Sequence, residues 1–205
     1  VGVATALIAT SVGAGLGLFA GWRGGAADAG LSRCTDLVLV VPALVVMMVL
    51  AVSFDRLGPV QIVAILALMS WPPLFRLSRA SARVTRGLPY VEVSRMAGGG
   101  TPHIVRRHLL PAAAPEVLTA GALVVGGAIL AESALSYLSL GLDADSGPSW
   151  GLLLVGAESL IEDRPWRVIF PAAFIIAAVV AVGLLAEALH DALRTPSRAT
   201  GAPGR

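Results

Sequence analysis

The sequence predicts an all-α integral membrane protein, a polytopic bundle of membrane-spanning helices. Hydrophobic residues make up 56% of its 205 residues and charged residues only 14%, and the mean hydropathy is +0.82. Soluble domains carry about 25% charged residues. A soluble fold of this composition would have to expose many of its apolar residues to water. The apolar residues also form long continuous runs, whereas strands of a membrane β-barrel alternate polar and apolar residues over about 10 positions.

Five of these runs are long enough to cross a bilayer, which takes roughly 20 residues in a helix. The predicted spans are residues 1–22, 37–54, 57–75, 112–135 and 168–186. The first span contains glycines that suit close packing between helices, namely Gly13, Gly15, Gly17 and Gly21. The shorter run 147–157 cannot span a bilayer and is predicted to form a short helix at one surface.

The basic residues, all 15 of them arginines, are divided unequally between the two sides that these spans define. Residues 23–36, residues 76–111 and the tail after the fifth span hold twelve of them. The other side holds three, Arg56, Arg164 and Arg167. The positive-inside rule predicts that the arginine-rich side and the C-terminus are cytoplasmic and that loop 136–167 is external. Val1 would then start outside, so a further helix is expected upstream.

The predicted cytoplasmic loop 76–111 is longer than an ordinary connection. Residues 77–86 continue the third span as a basic helix, and residues 90–97 form a short amphipathic helix that ends at three glycines. Thr101 is predicted to cap a further helix that starts at Pro102 and stops at Pro111. This knob could transmit force to a soluble partner, or it could lie on the membrane, held by arginines and anionic lipid. The residues alone leave both interpretations open.

The spacing of residues within this loop is specific. It runs Glu92-Val93-Ser94, three residues, Gly98, nine residues, then His108-Leu109-Leu110-Pro111. This resembles the EAA loop of ABC importer permeases, whose pattern is Glu-Ala-Ala, three residues, Gly, nine residues, Ile, any residue, Leu-Pro. Val93 and Ser94 replace the two alanines of that pattern, and His108 replaces the isoleucine.

The resemblance extends over nearly the whole chain, and it is to the dipeptide, oligopeptide and nickel transporter branch of that family. The segments that carry it are 17–25, 36–42, 90–98, 106–111, 128–142, 148–151 and 170–171. Members of the branch have one more transmembrane helix and an external segment before the first span found here. The resemblance therefore implies a bundle of the type I ABC importer permease kind, with the first family helix missing from this sequence.

The resemblance also implies a function, a pore subunit of an importer for peptides or related small solutes. Its expected partners are cytoplasmic ATPase subunits, a second permease subunit that would form a heterodimer with this chain, an extracytoplasmic solute-binding protein and the lipid bilayer. The expected location is the bacterial inner membrane, with multiple spans. ATP would be used by the partner subunit, and this chain would bind no cofactor itself. The residues that would couple it to the ATPase are Glu92, Val93, Ser94, Gly98, Leu110 and Pro111.

Other functions receive less support from the residues. The chain has no Gly-x4-Gly-Lys-Ser/Thr phosphate loop and no lysine, so it is not itself predicted to be an ATPase. It has no nucleophile signature, and nothing in it indicates nucleic-acid binding. His103, His108 and His190 are dispersed without metal-ligand spacing. Cys34, the single cysteine, is expected to be a buried small residue.

Glu132 is the ionisable residue that stands out within the predicted spans. A charge in the membrane is costly and is by default a functional candidate, so Glu132 is a candidate pore or gate residue. Helix packing or an interfacial position would also explain it. The alternative function is a secondary transporter or channel that works without ATP. Such a protein usually has intramembrane ion sites and internal repeats, and the sequence offers one carboxylate and no repeat.

Overall fold

The computed structural model describes residues 1–54, 57–142 and 147–194, and the regular secondary structure of these residues is helical, without a strand. The helices are α1 Gly2–Arg23, α2 Gly25–Val40, α3 Ala43–Val52, α4 Pro59–Arg86, α5 Pro89–Met96, α6 Thr101–Ile104, α7 Leu110–Tyr137, α8 Trp150–Leu154 and α9 Trp166–Arg194. A π-helical turn, Val105–Leu109, joins α6 to α7. The predicted all-α polytopic class is confirmed.

Within the described residues, four helices are long and apolar enough to cross a membrane. They are Gly2–Arg23, Pro59–Arg86, Thr101–Tyr137 and Trp166–Leu193. Helices α2 and α3 form a fifth candidate only if they are taken together, because they meet at a bend of 82°. The chain is therefore a multi-pass membrane protein, with four or five candidate spans among the described residues.

The predicted second span, residues 37–54, is not one straight helix. Helix α2 ends at Val40, and Val41 adopts an extended conformation before Pro42. A proline disfavours helical geometry at the residue before it and has no N–H to continue the helical ladder. The apolar run hides this break, since every residue around Pro42 is hydrophobic.

Helices α1 and α4 are parallel and pack closely along their length. A Cβ atom added at Gly13 would lie 2.6 Å from the Trp71 carbonyl oxygen, and one added at Gly21 would lie 2.6 Å from that of Arg79. At Gly17 the added atom would overlap Ser78 Oγ. These three glycines, four residues apart, face α4 and let the two backbones approach, as small residues do in membrane helix pairs. Gly15, which was expected to share this role, has open space beside it.

The chain returns between these parallel helices through α2 and α3. Asp28 forms an ion pair with Arg83, and Asp36, two turns further along α2, forms one with Arg76. Helix α2 therefore runs antiparallel to α4. Helices α1 and α4 end at Arg23 and Arg86, at the same end of the bundle, which we call the arginine-rich end. Helix α2 runs away from this end. Helix α3 then packs at the opposite end, in a hydrophobic cluster that also contains residues of α4 and α7.

The helix that was expected to stop at Pro111 instead continues through it. Residues Thr101–Tyr137 form one helix of 37 residues, and the N-cap position is Gly100 rather than Thr101, without a side-chain cap bond. The π turn lies just before Pro111, and the Leu110 N–H donates to the Val105 carbonyl. The proline ring would clash with the carbonyl four residues earlier, and a wider turn removes that clash.

The remaining helices complete the bundle at its periphery. Helix α9 runs along α7, with Val179 and Val182 beside Gly126 and His190 beside Thr119. Only 11% of the apolar 18-residue segment of α9 is buried inside the protein. Helix α8 lies within the run 147–157, where a short helix was expected.

The structure contradicts the expectation for Cys34, and it does not describe three of the arginines that were counted. Cys34 is exposed, so the expectation of a buried cysteine is wrong. It lies on α2, whose packing partner α4 covers the face that carries Asp28 and Thr35. Arg56, Arg198 and Arg205, which entered the arginine count, lie outside the described residues.

Candidate functional site

Helix α5 projects from the arginine-rich end and is held there by a single buried side chain. Val91 is fully buried, in a hydrophobic cluster with residues of α1, α4, α6, the π turn and α7. These partners are Leu18, Ala82, Ile104, Leu109, Ala113 and Val117. The other side chains of α5 are exposed or only half-buried. A short helix fixed on one face in this way presents its remaining surface outward.

That outward surface contains an apolar stripe, which was not among the features predicted from the sequence. Tyr90, Val93 and Met96 are spaced three residues apart and so share one face of α5. Their side chains are 49%, 59% and 76% exposed. The periodicity of this stripe was visible in the sequence, but only the burial of Val91 fixes which face of α5 turns inward. Glu92 is exposed beside the stripe.

The C-terminus of α5 is closed by a glycine turn with defined geometry. Gly98 has φ +86°, the Gly98 N–H donates to the Arg95 carbonyl at 3.0 Å, and the Gly99 N–H donates to the Ser94 carbonyl at 2.9 Å. This is the Schellman arrangement, in which a left-handed residue follows the helix. Gly98 is needed for its φ, whereas a Cβ at Gly99 would lie 2.7 Å from the Ser94 carbonyl oxygen.

The structure does not bring all the predicted coupling residues onto one surface element. Glu92, Val93, Ser94 and Gly98 belong to α5 and its turn, while Leu110 and Pro111 are exposed at the start of α7. It is the preceding residue, Leu109, that is buried with Val91.

Aromatic side chains connect α5 to its neighbours. The Tyr90 and His108 rings have centroids 5.4 Å apart, and His103 lies 6.2 Å from His108. On the other side, the Arg95 guanidinium lies 4.9 Å from the centroid of the Trp22 ring. The imidazole at position 108, where the compared pattern has isoleucine, therefore contacts α5 directly.

Arg86, the last residue of α4, joins the end of that helix to the end of α1. Arg86 donates from Nη1 to the carbonyl oxygens of Gly21, at 3.0 Å, and Trp22, at 3.2 Å. These carbonyls end α1, so the guanidinium occupies the position that complements a helix C-terminus. A pocket of about 670 Å³ opens beside it, between the ends of α1 and α4 and the start of α6.

Glu132 lies at the opposite end of the bundle and joins α7 to α8. Its Oε1 accepts hydrogen bonds from Ser136 at 2.7 Å and from Ser149 at 2.8 Å. Ser149 is the N-cap of α8 and accepts from the Gly151 and Leu152 N–H groups. A Cβ at Gly151 would overlap the Ser133 carbonyl oxygen, so α8 packs directly on the α7 backbone. Glu132 also borders a pocket of about 310 Å³ with Trp150 and Ile129.

Comparison with known proteins agrees with this architecture. Residues 13–195 match the family described as binding-protein-dependent transport system inner membrane component. The chain is 34% identical over 194 residues to the dipeptide transport system permease protein of Bacillus subtilis, which covers 94% of this chain and 60% of that protein. It is 31% identical over 193 residues to the oligopeptide transport system permease protein of the same organism, covering 94% and 63%.

A third relative is the glutathione transport system permease protein of Pectobacterium atrosepticum, 31% identical over 192 residues, covering 94% of this chain and 63% of that protein. The chain thus spans less than two thirds of the length of the curated relatives it matches. The family match covers most of the chain, from within α1 to the end of α9. The chain belongs to the family of inner membrane components of binding-protein-dependent transport systems.

Proposed function

We propose that this chain is a pore subunit of an ATP-driven ABC importer for peptides or related small solutes, and that α5 couples it to a partner ATPase. The observation that carries the proposal is the construction of α5, a short helix whose one buried side chain is Val91 and whose outward face exposes an apolar stripe. Exposed apolar side chains rimmed by polar groups are typical of protein contact sites. The relatives named for dipeptide, oligopeptide and glutathione transport support the substrate class.

In this proposal the partners divide the work. Cytoplasmic ATPase subunits bind and hydrolyse ATP, and this chain needs no cofactor of its own. A second permease subunit, in a heterodimer, completes the pore, and an extracytoplasmic binding protein delivers the solute. Movement of the ATPases reaches the pore through α5, because Val91 packs against α1, α4 and α7 at once. Leu110 and Pro111 border the same end and are proposed to contribute to the contact.

Glu132 is proposed to act as a gate residue through α8. Its carboxylate holds the N-cap of α8 against α7, at the end of the bundle away from α5. A shift of α7 would therefore move α8 and change access to the adjoining pocket.

The coupling role of α5 is tested by substitutions on its exposed face. In the complete transporter, Glu92→Ala and Met96→Asp are expected to weaken ATPase binding by about 30-fold each, since an interface hot spot contributes about 2 kcal/mol. Gly98→Val should do similar damage, because a β-branched residue resists a positive φ. The measurements are ATPase co-purification and substrate-stimulated ATP hydrolysis, with subunit abundance determined in parallel.

The matched control is Glu187→Ala. Glu187 is an exposed glutamate near the same end, on α9, and its substitution removes the same charge away from α5. It is expected to leave ATPase binding and hydrolysis unchanged. If the Glu92 and Met96 variants assemble and transport like the parent, α5 is not the coupling element.

The proposed orientation places the arginine-rich end and the C-terminus in the cytoplasm, in line with the positive-inside rule. In a Cys34→Ser background, a cysteine introduced by Gly100→Cys should react with a membrane-impermeant maleimide only after the cytoplasmic face is opened. One introduced by Glu162→Cys should react in intact cells. Both positions are exposed. The reverse pattern of labelling would invert the proposed topology.

A further inference from the structure

We propose that the pocket between α1, α4 and α5 is a specific binding site for an anionic phospholipid, with the lipid phosphate held by Arg23, Arg86 and Arg95. The pocket measures about 670 Å³ and is bordered by these three arginines together with Phe19, Trp22 and Thr101. Each arginine comes from a different helix, Arg23 from the end of α1, Arg86 from the end of α4 and Arg95 from the last turn of α5. Among the described residues, no acidic side chain borders the pocket.

The three arginines of this pocket take no part in the salt bridges that join α2 to α4. The three salt bridges found there involve Arg76, Arg79 and Arg83, paired with Asp36 and Asp28. Three guanidinium groups that share one cavity repel one another unless an anion lies between them. A phosphate group would remove this repulsion and accept several charge-assisted hydrogen bonds.

Two of the guanidinium groups are already oriented for such a ligand. Arg86 is fixed by its bonds from Nη1 to the α1 carbonyls, which leaves its other N–H groups for a further acceptor. Arg95 lies over the Trp22 ring, so its face is occupied, while the N–H donors at its edge have no hydrogen-bond partner among the described residues. Orienting a donor before the ligand binds lowers the entropic cost of binding.

The position of the pocket selects a lipid over a free anion. It surrounds the last turn of α1, an apolar helix that can cross the membrane. Phe19, half-exposed one turn before Arg23, borders its apolar side. Tryptophan and arginine at a helix end mark the level of the headgroups, and basic pockets between helices at this level bind anionic lipid headgroups. An anionic head joined to an acyl chain matches both halves of the pocket.

A bound lipid would have a structural consequence for α5. The described contacts that hold α5 to the bundle are the packing of Val91 and the flanking ring contacts. A phosphate bridging Arg95 to Arg23 and Arg86 would add a polar link between α5 and the ends of α1 and α4. Lipid binding would thereby restrict the orientations that α5 adopts.

The test measures lipid binding directly and does not depend on transport. The complete subunit, in nanodiscs of phosphatidylcholine, is titrated with short-chain phosphatidylglycerol, with phosphatidylethanolamine and with inorganic phosphate. The informative variant is Arg23→Gln/Arg95→Gln, which keeps the Arg86 bonds to α1. Its matched control, Arg106→Gln/Arg107→Gln, removes two exposed arginines near the same end that border a different pocket.

The expected result is saturable binding of phosphatidylglycerol, weakened about 30-fold by Arg23→Gln/Arg95→Gln and less than about three-fold by the control pair. Phe19→Ala should weaken lipid binding while leaving any phosphate binding unchanged. Equal losses in the two arginine pairs would mean a diffuse surface charge and would overturn the proposal. Inorganic phosphate that competes at the lipid's own affinity would make the pocket an anion site without lipid specificity, which also overturns it.

Discussion

Replacing Asp28 with alanine is expected to destabilise the subunit by about 3 kcal/mol. The Asp28 side chain is only 4% exposed and accepts hydrogen bonds from both Arg79 and Arg83. Removing one member of a buried charge network leaves the others uncompensated, which costs about 3–5 kcal/mol. We expect the lower value because the Arg83 side chain is 49% exposed and can reach water. Loss of this network would release α2 from α4.

The neighbouring pair provides the control for this prediction. Asp36 and Arg76 join the same two helices, but their side chains are 57% and 55% exposed. An exposed ion pair contributes about 0–1 kcal/mol, so Asp36→Ala should have little effect. In detergent, the melting temperature should fall by about 10 °C for Asp28→Ala and by less than about 3 °C for Asp36→Ala. Equal changes would mean that the buried network does not fasten α2.

Gly17→Ala is expected to be the other strongly destabilising substitution. The added methyl group would overlap Ser78 Oγ and the Phe75 carbonyl oxygen and would lie 2.9 Å from the Arg79 N–H nitrogen. Two of these three neighbours are backbone atoms, so rotating a side chain cannot relieve the contact. Helices α1 and α4 must separate, and overpacking of this kind costs about 1–3 kcal/mol, occasionally more. Their interface is the framework on which α2 and α7 pack.

Gly15→Ala is the matched control, because the same change on the same helix meets open space. In a helix interior alanine is favoured over glycine by about 1 kcal/mol, so this variant should match or exceed the parent in stability. Thermal melting and the folded fraction after purification in detergent provide the comparison. The proposed α1–α4 interface is wrong if the two variants behave alike.

The glycines of α1 illustrate how far the sequence predicts the fold. Their frequency and spacing predicted close helix packing, and Gly13, Gly17 and Gly21 do face α4. Nothing local distinguishes Gly15 from them, because which face of a helix meets a partner depends on where that partner lies. The bend at Pro42 was not predicted for a related reason. Hydropathy reports whether a segment is apolar, but it does not report whether the helix axis changes direction within that segment.

The segment 76–111 also shows which features the sequence predicts and which it does not. The breaks at Gly87 and Gly98 were predictable because they depend on glycine and proline, whose conformational preferences are local. The continuity of the helix through Pro111 was not, because it depends on the π turn that accommodates the proline. The role of Val91 as the anchor of α5 was also hidden, since its partners come from five other segments of the chain.

The parallel pairing of α1 with α4 has a consequence for biosynthesis. Ser78, which donates a hydrogen bond to the Gly13 carbonyl, follows it by 65 residues. At about 5–20 residues per second, α1 leaves the ribosome roughly 3–13 s before its partner. During that interval its glycine face lacks the α4 surface against which it packs, and Asp28 has neither arginine. The α1–α4 interface and the Asp28 network therefore form only after residue 86 has been synthesised, and a pause in translation before that residue would prolong the time that α1 spends without α4.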